Sequence, residues 1–305
     1  MKFLINVSHL ANFYFFIQNL SEWHFSNIKP YNVFWEKTIG PFSEEEKEAL
    51  SRFKTIRQNY PYENKTFDFD GFFYSQNDWF FGIKKHIKKS EYVDLNDIFH
   101  LFCNKFDKLY SLEKESLYKW QECLVDYLKD INDQQKIFEE LSIIYSVISP
   151  PKNFRVNLYV LISAPGGMGG SADDESKRIT LEVSRSSLQN LPQAAGNIWH
   201  EIIHIYFDKK HFRKLLNDYF GDDAEMIRVV NELTAAALFP GILGRKFFNN
   251  PKKETIYYRY VNKEQSEEIL SLMQTYLYGR KPLDDIYIQR ICEVLNKKAP
   301  HTVSV

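Results

Sequence analysis

Two histidines and a glutamate define the chemistry open to this sequence. In Asn197-Ile198-Trp199-His200-Glu201-Ile202-Ile203-His204-Ile205-Tyr206, His200 and His204 lie four positions apart. On a helix that spacing stacks them one turn above each other, where two imidazoles can reach one metal ion. Glu201 is displaced by about 100° on the same side, which suits a general base beside the ion rather than a ligand on it. Asn197, His200, Glu201, His204 and Asp208 form one polar stripe on a helix otherwise made of Ile198, Trp199, Ile202, Ile203, Ile205 and Tyr206. A helix apolar on most sides is a buried one. Burying two imidazoles and a carboxylate without partners costs several kcal/mol. A zinc ion would partner all three.

A catalytic zinc site needs a third protein ligand. His211 lies seven residues past His204, but Phe207 and Lys210 stand where the metzincin pattern has Gly and His, so His211 reads as a solvent-facing helix residue. Asp222 and Asp223 follow Gly221, and Gly-Asp reads first as a helix stop and an N-cap. Glu232, in Val229-Val230-Asn231-Glu232-Leu233-Thr234-Ala235-Ala236-Ala237, is the favoured candidate. It sits 28 residues downstream on a second expected helix, and the small residues one turn later let two helices approach closely. Glu225, seven residues earlier on that helix, is the fallback.

These residues together resemble the zincin metallopeptidases and, within them, the gluzincins, which include thermolysin-like and aminopeptidase-like enzymes. The family pairs HExxH on one helix with Asn-Glu on a following helix, matched here by His200, Glu201 and His204, then Asn231 and Glu232. The resemblance covers roughly residues 150 to 240. It implies zinc held by His200, His204 and Glu232, Glu201 as general base, and hydrolysis of a peptide or protein substrate. It also implies an upstream sheet like residues 154 to 184, with an edge strand lining the substrate cleft. Thermolysin-like members carry an Asp four residues after the ligand Glu, orienting the first His. Here that position is Ala236, so the orienting group must come from elsewhere. An oxyanion donor could come from Tyr257, Tyr258, Tyr260, His211 or His301, among which the sequence does not choose.

The elements that must hold these residues follow from pattern. The fold class is α+β: a mainly helical N-terminal region (1–150), a zincin-like zinc-binding domain with a small mixed sheet (151–240), and a helical C-terminal part (241–305). A first strand runs into an amphipathic helix. Ser43-Glu44-Glu45-Glu46 is a capping box. Helices are expected at Tyr92–Leu109, Leu112–Ile131 and Gln134–Val147, with Ser149-Pro150-Pro151 as the domain boundary. Residues 155–162 read as a strand. In 178–184, Ile179, Leu181 and Val183 share one face, while Arg178, Thr180, Glu182 and Ser184 share a wet one. Such an edge strand could pair with a peptide. Between the two strands, Pro165-Gly166-Gly167-Met168-Gly169-Gly170 lacks a P-loop ending and reads as a hairpin loop. Further helices are expected at Pro192–Asp208, Lys209–Phe220, Asp223–Leu238, Lys263–Tyr278 and Leu283–Lys297.

Composition excludes several classes. Lys and Arg total 39 against 40 for Asp and Glu, a net charge of −1 in 305 residues, which disfavours a nucleic-acid or anionic-membrane binder. The lysine cluster Lys84-Lys85-His86-Ile87-Lys88-Lys89 is read as closing a helix. No membrane span is expected, and three widely spaced cysteines suit a reducing compartment, so the protein is expected in the cytoplasm. Met1-Lys2-Phe3-Leu4-Ile5 opens like a secretory signal, but Asn6, Ser8, His9, Asn12 and Gln18 break the apolar run. Two other functions stay open at this stage: a metal-dependent hydrolase of a non-peptide amide or ester, and a catalytically silent zincin-like interaction protein.

Overall fold

The computed structural model describes residues 1–24, 26–62, 67–74, 79–129, 131–147, 154–173, 176–249 and 260–296. Its organising element is a four-stranded sheet in the order β1-β2-β4-β3, formed by Lys2–Asn6 (β1), Arg155–Ile162 (β2), Gly169–Asp173 (β3) and Arg178–Val183 (β4). β1 runs parallel to β2 from Lys2↔Arg155, and β2 runs parallel to β4 from Asn157↔Arg178. β3 is antiparallel to β4, with Gly169 opposite Glu182. The first strand of the chain is thus hydrogen-bonded to a strand more than 150 residues later. The class is α+β, mostly helical with a small mixed sheet.

Two expectations about the sheet need correction. Arg178–Val183 is not an edge strand, because it lies between β2 and β3 and every one of its residues is buried. The alternation of polar and apolar residues marks two covered faces rather than one wet one. The polar face is paired off internally: Arg178 meets Asp68 at 3.0 Å and Asp173 at 2.7 Å, and Thr180 shares a hydrogen bond with Ser171. The glycine-rich run is also not all loop. Gly166 turns at φ +75°, and Gly169 and Gly170 begin β3, which is an edge.

The N-terminal helices cover the sheet. They are His9–Leu20 (α1), Lys29–Ile39 (α2), Glu44–Asn59 (α3), Gly71–Tyr74 (α4), Trp79–Ile83 (α5), Lys89–Tyr127 (α6) and Ile131–Ile144 (α7). The capping box at Ser43 and Glu46 forms as read, with Ser43 N–H donating to the Glu46 carboxylate at 2.6 Å. α6 is one 39-residue helix where two were expected. No Gly or Pro interrupts it, and the Ser111 hydroxyl turns back to the Asp107 carbonyl at 2.7 Å. The lysine cluster follows α5, whose last residue is Ile83. The expected boundary at Ser149-Pro150-Pro151 lies outside the described residues.

The aromatic richness of this half is a packed core. Phe13 stacks on Phe106 at 4.6 Å, Tyr14 on Phe73 at 4.1 Å, and Phe73 on Phe99 at 5.4 Å. Phe16 lies against Trp35 and Phe102. These rings continue into one buried cluster that includes β2, β4 and the later helices.

The second half supplies Leu191–Ile202 (α8), His211–Phe220 (α9), Ala224–Ala236 (α10), Leu243–Phe248 (α11), Lys263–Tyr278 (α12) and Asp285–Asn296 (α13). One expected helix ends in a wider π turn, Ile203–Phe207 after α8, and a kink at Phe239 and Gly241 separates α10 from α11. By length and composition alone the kinked run Ala224–Phe248 could cross a membrane, with an 18-residue window of mean hydropathy 1.4. Of that window 72% is buried inside the protein, so its apolar surface already serves the core. Cys103, Cys123 and Cys292 are free thiols.

One side chain extends the ladder where β1 stops. Asn12, on α1 and 1% exposed, donates to the Val160 carbonyl at 3.1 Å and accepts from the Ile162 N–H at 2.8 Å. An unpaired buried backbone group costs about 1–3 kcal/mol. Asn12→Ala strands two of them and is expected to cost about 2–5 kcal/mol in denaturant unfolding. A loss below about 1 kcal/mol would contradict this role for Asn12.

Candidate metal centre

α8 starts with Pro192 in its first turn, packs against β3 and β4, and buries Ala194 and Ala195 fully. The next turns carry His200, Glu201 and His204. The π turn at Ile203–Phe207 closes with Asp208 N–H donating to the Ile203 carbonyl at 3.1 Å. Such turns recur at functional sites because they re-aim side chains without ending the helix. α10 begins at Asp223, whose side chain accepts from Met226 N–H, and presents Glu232 to the two histidines.

The orientation of the imidazoles is set from behind. His200 is 2% exposed, and its Nδ1 donates to the Phe239 carbonyl at 3.0 Å. That carbonyl is available because Phe239 has extended dihedrals (φ −134°, ψ 126°) and Pro240 follows it, so the helical ladder is broken there. His204 Nδ1 donates to Asp208 Oδ2 at 2.8 Å. Both Nδ1 atoms being committed, both Nε2 atoms turn inward, 3.0 Å apart. Glu232 completes the group, with Oε2 3.4 Å from His200 Nε2 and Oε1 3.6 Å from His204 Nε2.

These separations provide a fit test. Three corners of a tetrahedron around zinc with bonds of about 2.0–2.1 Å lie about 3.3–3.4 Å apart. The Nε2–Nε2 separation of 3.0 Å, and the 3.4 and 3.6 Å from the two nitrogens to the two different oxygens of Glu232, lie near that value. The donor set, two imidazoles and a carboxylate, is one that zinc takes. Among the described residues, His200, His204 and Glu232 form the one group of three such donors within 4.8 Å of one another. The residues present fit a divalent cation.

The charges agree with the geometry. Burial alone would lower the His204 pKa, but the Asp208 hydrogen bond and the Glu232 and Asp208 charges push it up to about 9. Burial would raise Glu232, yet the His200 hydrogen bond and the charges of His204, His200 and Arg228 bring it down to about 2. This is a place that holds positive charge, as a proton or as a metal ion competing for the same lone pair. Burial raises the Glu201 pKa, opposed by His200 and His204. Glu201 faces the edge strand, and a side-chain carbon at Gly170 would stand 3.5 Å from its Oε1.

The other sequence candidates lie apart. Glu225 and Asp222 are exposed, and Asp223 is the N-cap of α10. His211 is partly buried, with its ring nitrogen 3.3 Å from the Leu283 carbonyl. Tyr260 accepts a hydrogen bond from Arg228, one turn before Glu232. Tyr257, Tyr258 and His301 lie outside the described residues. Ala236 is fully buried and contributes no polar group.

Sequence reasoning missed the Phe239 carbonyl and Glu182. A broken helix over Phe239-Pro240-Gly241 was the available signal for the first. Glu182 gave none, since strand alternation put it on a wet face. It is instead 7% exposed, accepts from the Tyr31 hydroxyl, and leaves Oε2 without a partner under Gly169. Compared with protein-family models, curated proteins and solved structures, the chain matches none.

Burial, and after it the nearby Glu201 charge, pushes Glu182 from 4.5 up to about 7. A raised carboxyl pKa means that the folded state binds the proton more tightly than the unfolded chain. Stability from this group is therefore full below pH 4.5 and falls as pH rises to about 7. In chelator-treated protein, the stability of wild type relative to Glu182→Gln is expected to drop by about 3 kcal/mol across that window. A difference that does not vary with pH would contradict it.

Proposed function

We propose that this protein is a zinc-dependent metallopeptidase of gluzincin type, with His200, His204 and Glu232 as metal ligands and Glu201 as general base. The observation that carries the reading is the inward triangle of two imidazole Nε2 atoms and one carboxylate. Glu201, next to His200 on α8, supports it by supplying the base that a bare binding site does not need.

A zinc ion held by these ligands supplies Lewis acidity toward a carbonyl oxygen and toward water. The remaining work falls to the chain. Glu201 takes a proton from the attacking water onto its carboxylate and delivers it to the departing amine nitrogen. Its burial favours the uptake of that proton. The substrate is a peptide that adds along β3, the antiparallel edge strand beside Glu201, with main-chain hydrogen bonds supplying affinity. Gly169 and Gly170 keep that strand free of side chains where Glu182 and Glu201 approach it.

Glu201→Gln is expected to bind one equivalent of zinc as the wild type does and to lose at least about 100-fold in hydrolysis of a fluorogenic peptide library, the low end for a general base. Glu232→Ala is expected to lose stoichiometric zinc. A Glu201→Gln protein as active as the wild type would overturn the role of the base. Full zinc retention by Glu232→Ala would remove Glu232 from the ligand set.

A further inference from the structure

The family pattern places its orienting carboxylate four residues after the ligand glutamate, and this chain has Ala236 there. A carboxylate nonetheless reaches the centre from the other helix. Asp208 lies four residues after His204 and is 6% exposed, and its Oδ2 accepts from His204 Nδ1 at 2.8 Å. The same oxygen accepts from Asn231 Nδ2 at 2.6 Å. Asn231 immediately precedes Glu232, so this bond ties the helix bearing the histidines to the helix bearing the third ligand.

Two features argue that the Asn231–Asp208 contact serves the centre rather than local satisfaction. The Asn231 amide turns Nδ2 to Asp208, since the reverse would set two acceptor oxygens 2.6 Å apart, and it keeps this orientation although Nδ2 then also lies 3.3 Å from His204 Nδ1. In the required orientation its Oδ1 is buried with no partner, an unfavourable state for the amide itself. The charges also favour a cation. Glu232 and Asp208 carry two negative charges with Glu201 beside them, and a dication between two neutral imidazoles offsets carboxylate charge that burial otherwise penalises.

We propose that Asp208 is the positioning residue of this metal centre, fixing His204 for Nε2 ligation and, through Asn231, holding Glu232 in register. The first histidine, which the family's Asp at the position of Ala236 orients, is held here by the Phe239 carbonyl, and Asp208 does the corresponding work for His204. Its carboxylate makes His204 a stronger donor to a cation and supplies part of the charge that offsets the ion. This inference rests on the metal reading above, and it concerns how tightly the ion is held.

The test is zinc and cobalt affinity by competition with a chromophoric chelator, for wild type and Asp208→Asn. The amide oxygen of Asn can still accept both hydrogen bonds, so the variant removes charge at nearly constant shape. Affinity is expected to fall by about 10- to 100-fold with little change in the thermal midpoint of the metal-free protein. The cobalt visible spectrum of the variant is expected to shift as His204 loosens. Wild-type affinity in a folded Asp208→Asn protein overturns the proposal. Should that variant not fold, imidazole ¹⁵N resonances of zinc-loaded wild type decide it: a protonated His204 Nδ1 and a metal-bound Nε2 support it, and ligation through Nδ1 overturns it. A wild type that binds neither metal defeats the metal reading itself, which distinguishes that failure from failure of the Asp208 proposal.

Discussion

Two imidazole nitrogens and a carboxylate turned toward one another within 3.6 Å are stable only around positive charge. Each is an acceptor when the histidines are neutral, and acceptors do not attract. The fold nevertheless forces the convergence, since His200 Nδ1 is spent on the Phe239 carbonyl and His204 Nδ1 on Asp208. Much of the surrounding structure can be understood as what it takes to hold that arrangement still. α8 packs on β3 and β4, a π turn carries His204 to Asp208, and a broken helix after α10 offers a carbonyl to His200.

The helical N-terminal half takes part in this by closing the other face of the sheet. β1 pairs with β2, Asn12 continues that pairing, and Trp120 donates its indole N–H to the Ser184 carbonyl at 3.0 Å. Arg178 and Glu182 on β4 point toward this layer and find Asp68 and Tyr31 there. The aromatic excess, 16% of the chain, has its physical reason in this packing. Rings of α1, α2, α4 and α6 interleave at 4 to 6 Å, and such stacked and edge-on pairs add to simple area burial.

The donor triplet was legible because its information is local. His200 and His204 are one helical turn apart, and Glu232 sits in a pattern that needs only its own helix to be read. Asp208 was visible as part of the same stripe, though spacing alone could not say which histidine it would serve. Glu182 was misread because alternation along a strand reports side-chain period and not what covers each face. Whether β4 was an edge depended on β3, whose glycines look like loop and whose pairing is a matter of tertiary structure. The continuity of α6 through Ser111 was hidden for a related reason, since a serine can turn its hydroxyl onto the helix backbone instead of ending it.

Zinc K-edge X-ray absorption on the zinc-loaded protein tests the central claim most directly, because it reads the ligand atoms without presuming a substrate. The account predicts nitrogen and oxygen neighbours only, at about 2.0–2.1 Å, with the outer-shell scattering of two imidazoles. Sulfur at about 2.3 Å, which would place Cys103, Cys123 or Cys292 on the metal, contradicts it, as does a spectrum without imidazole scattering.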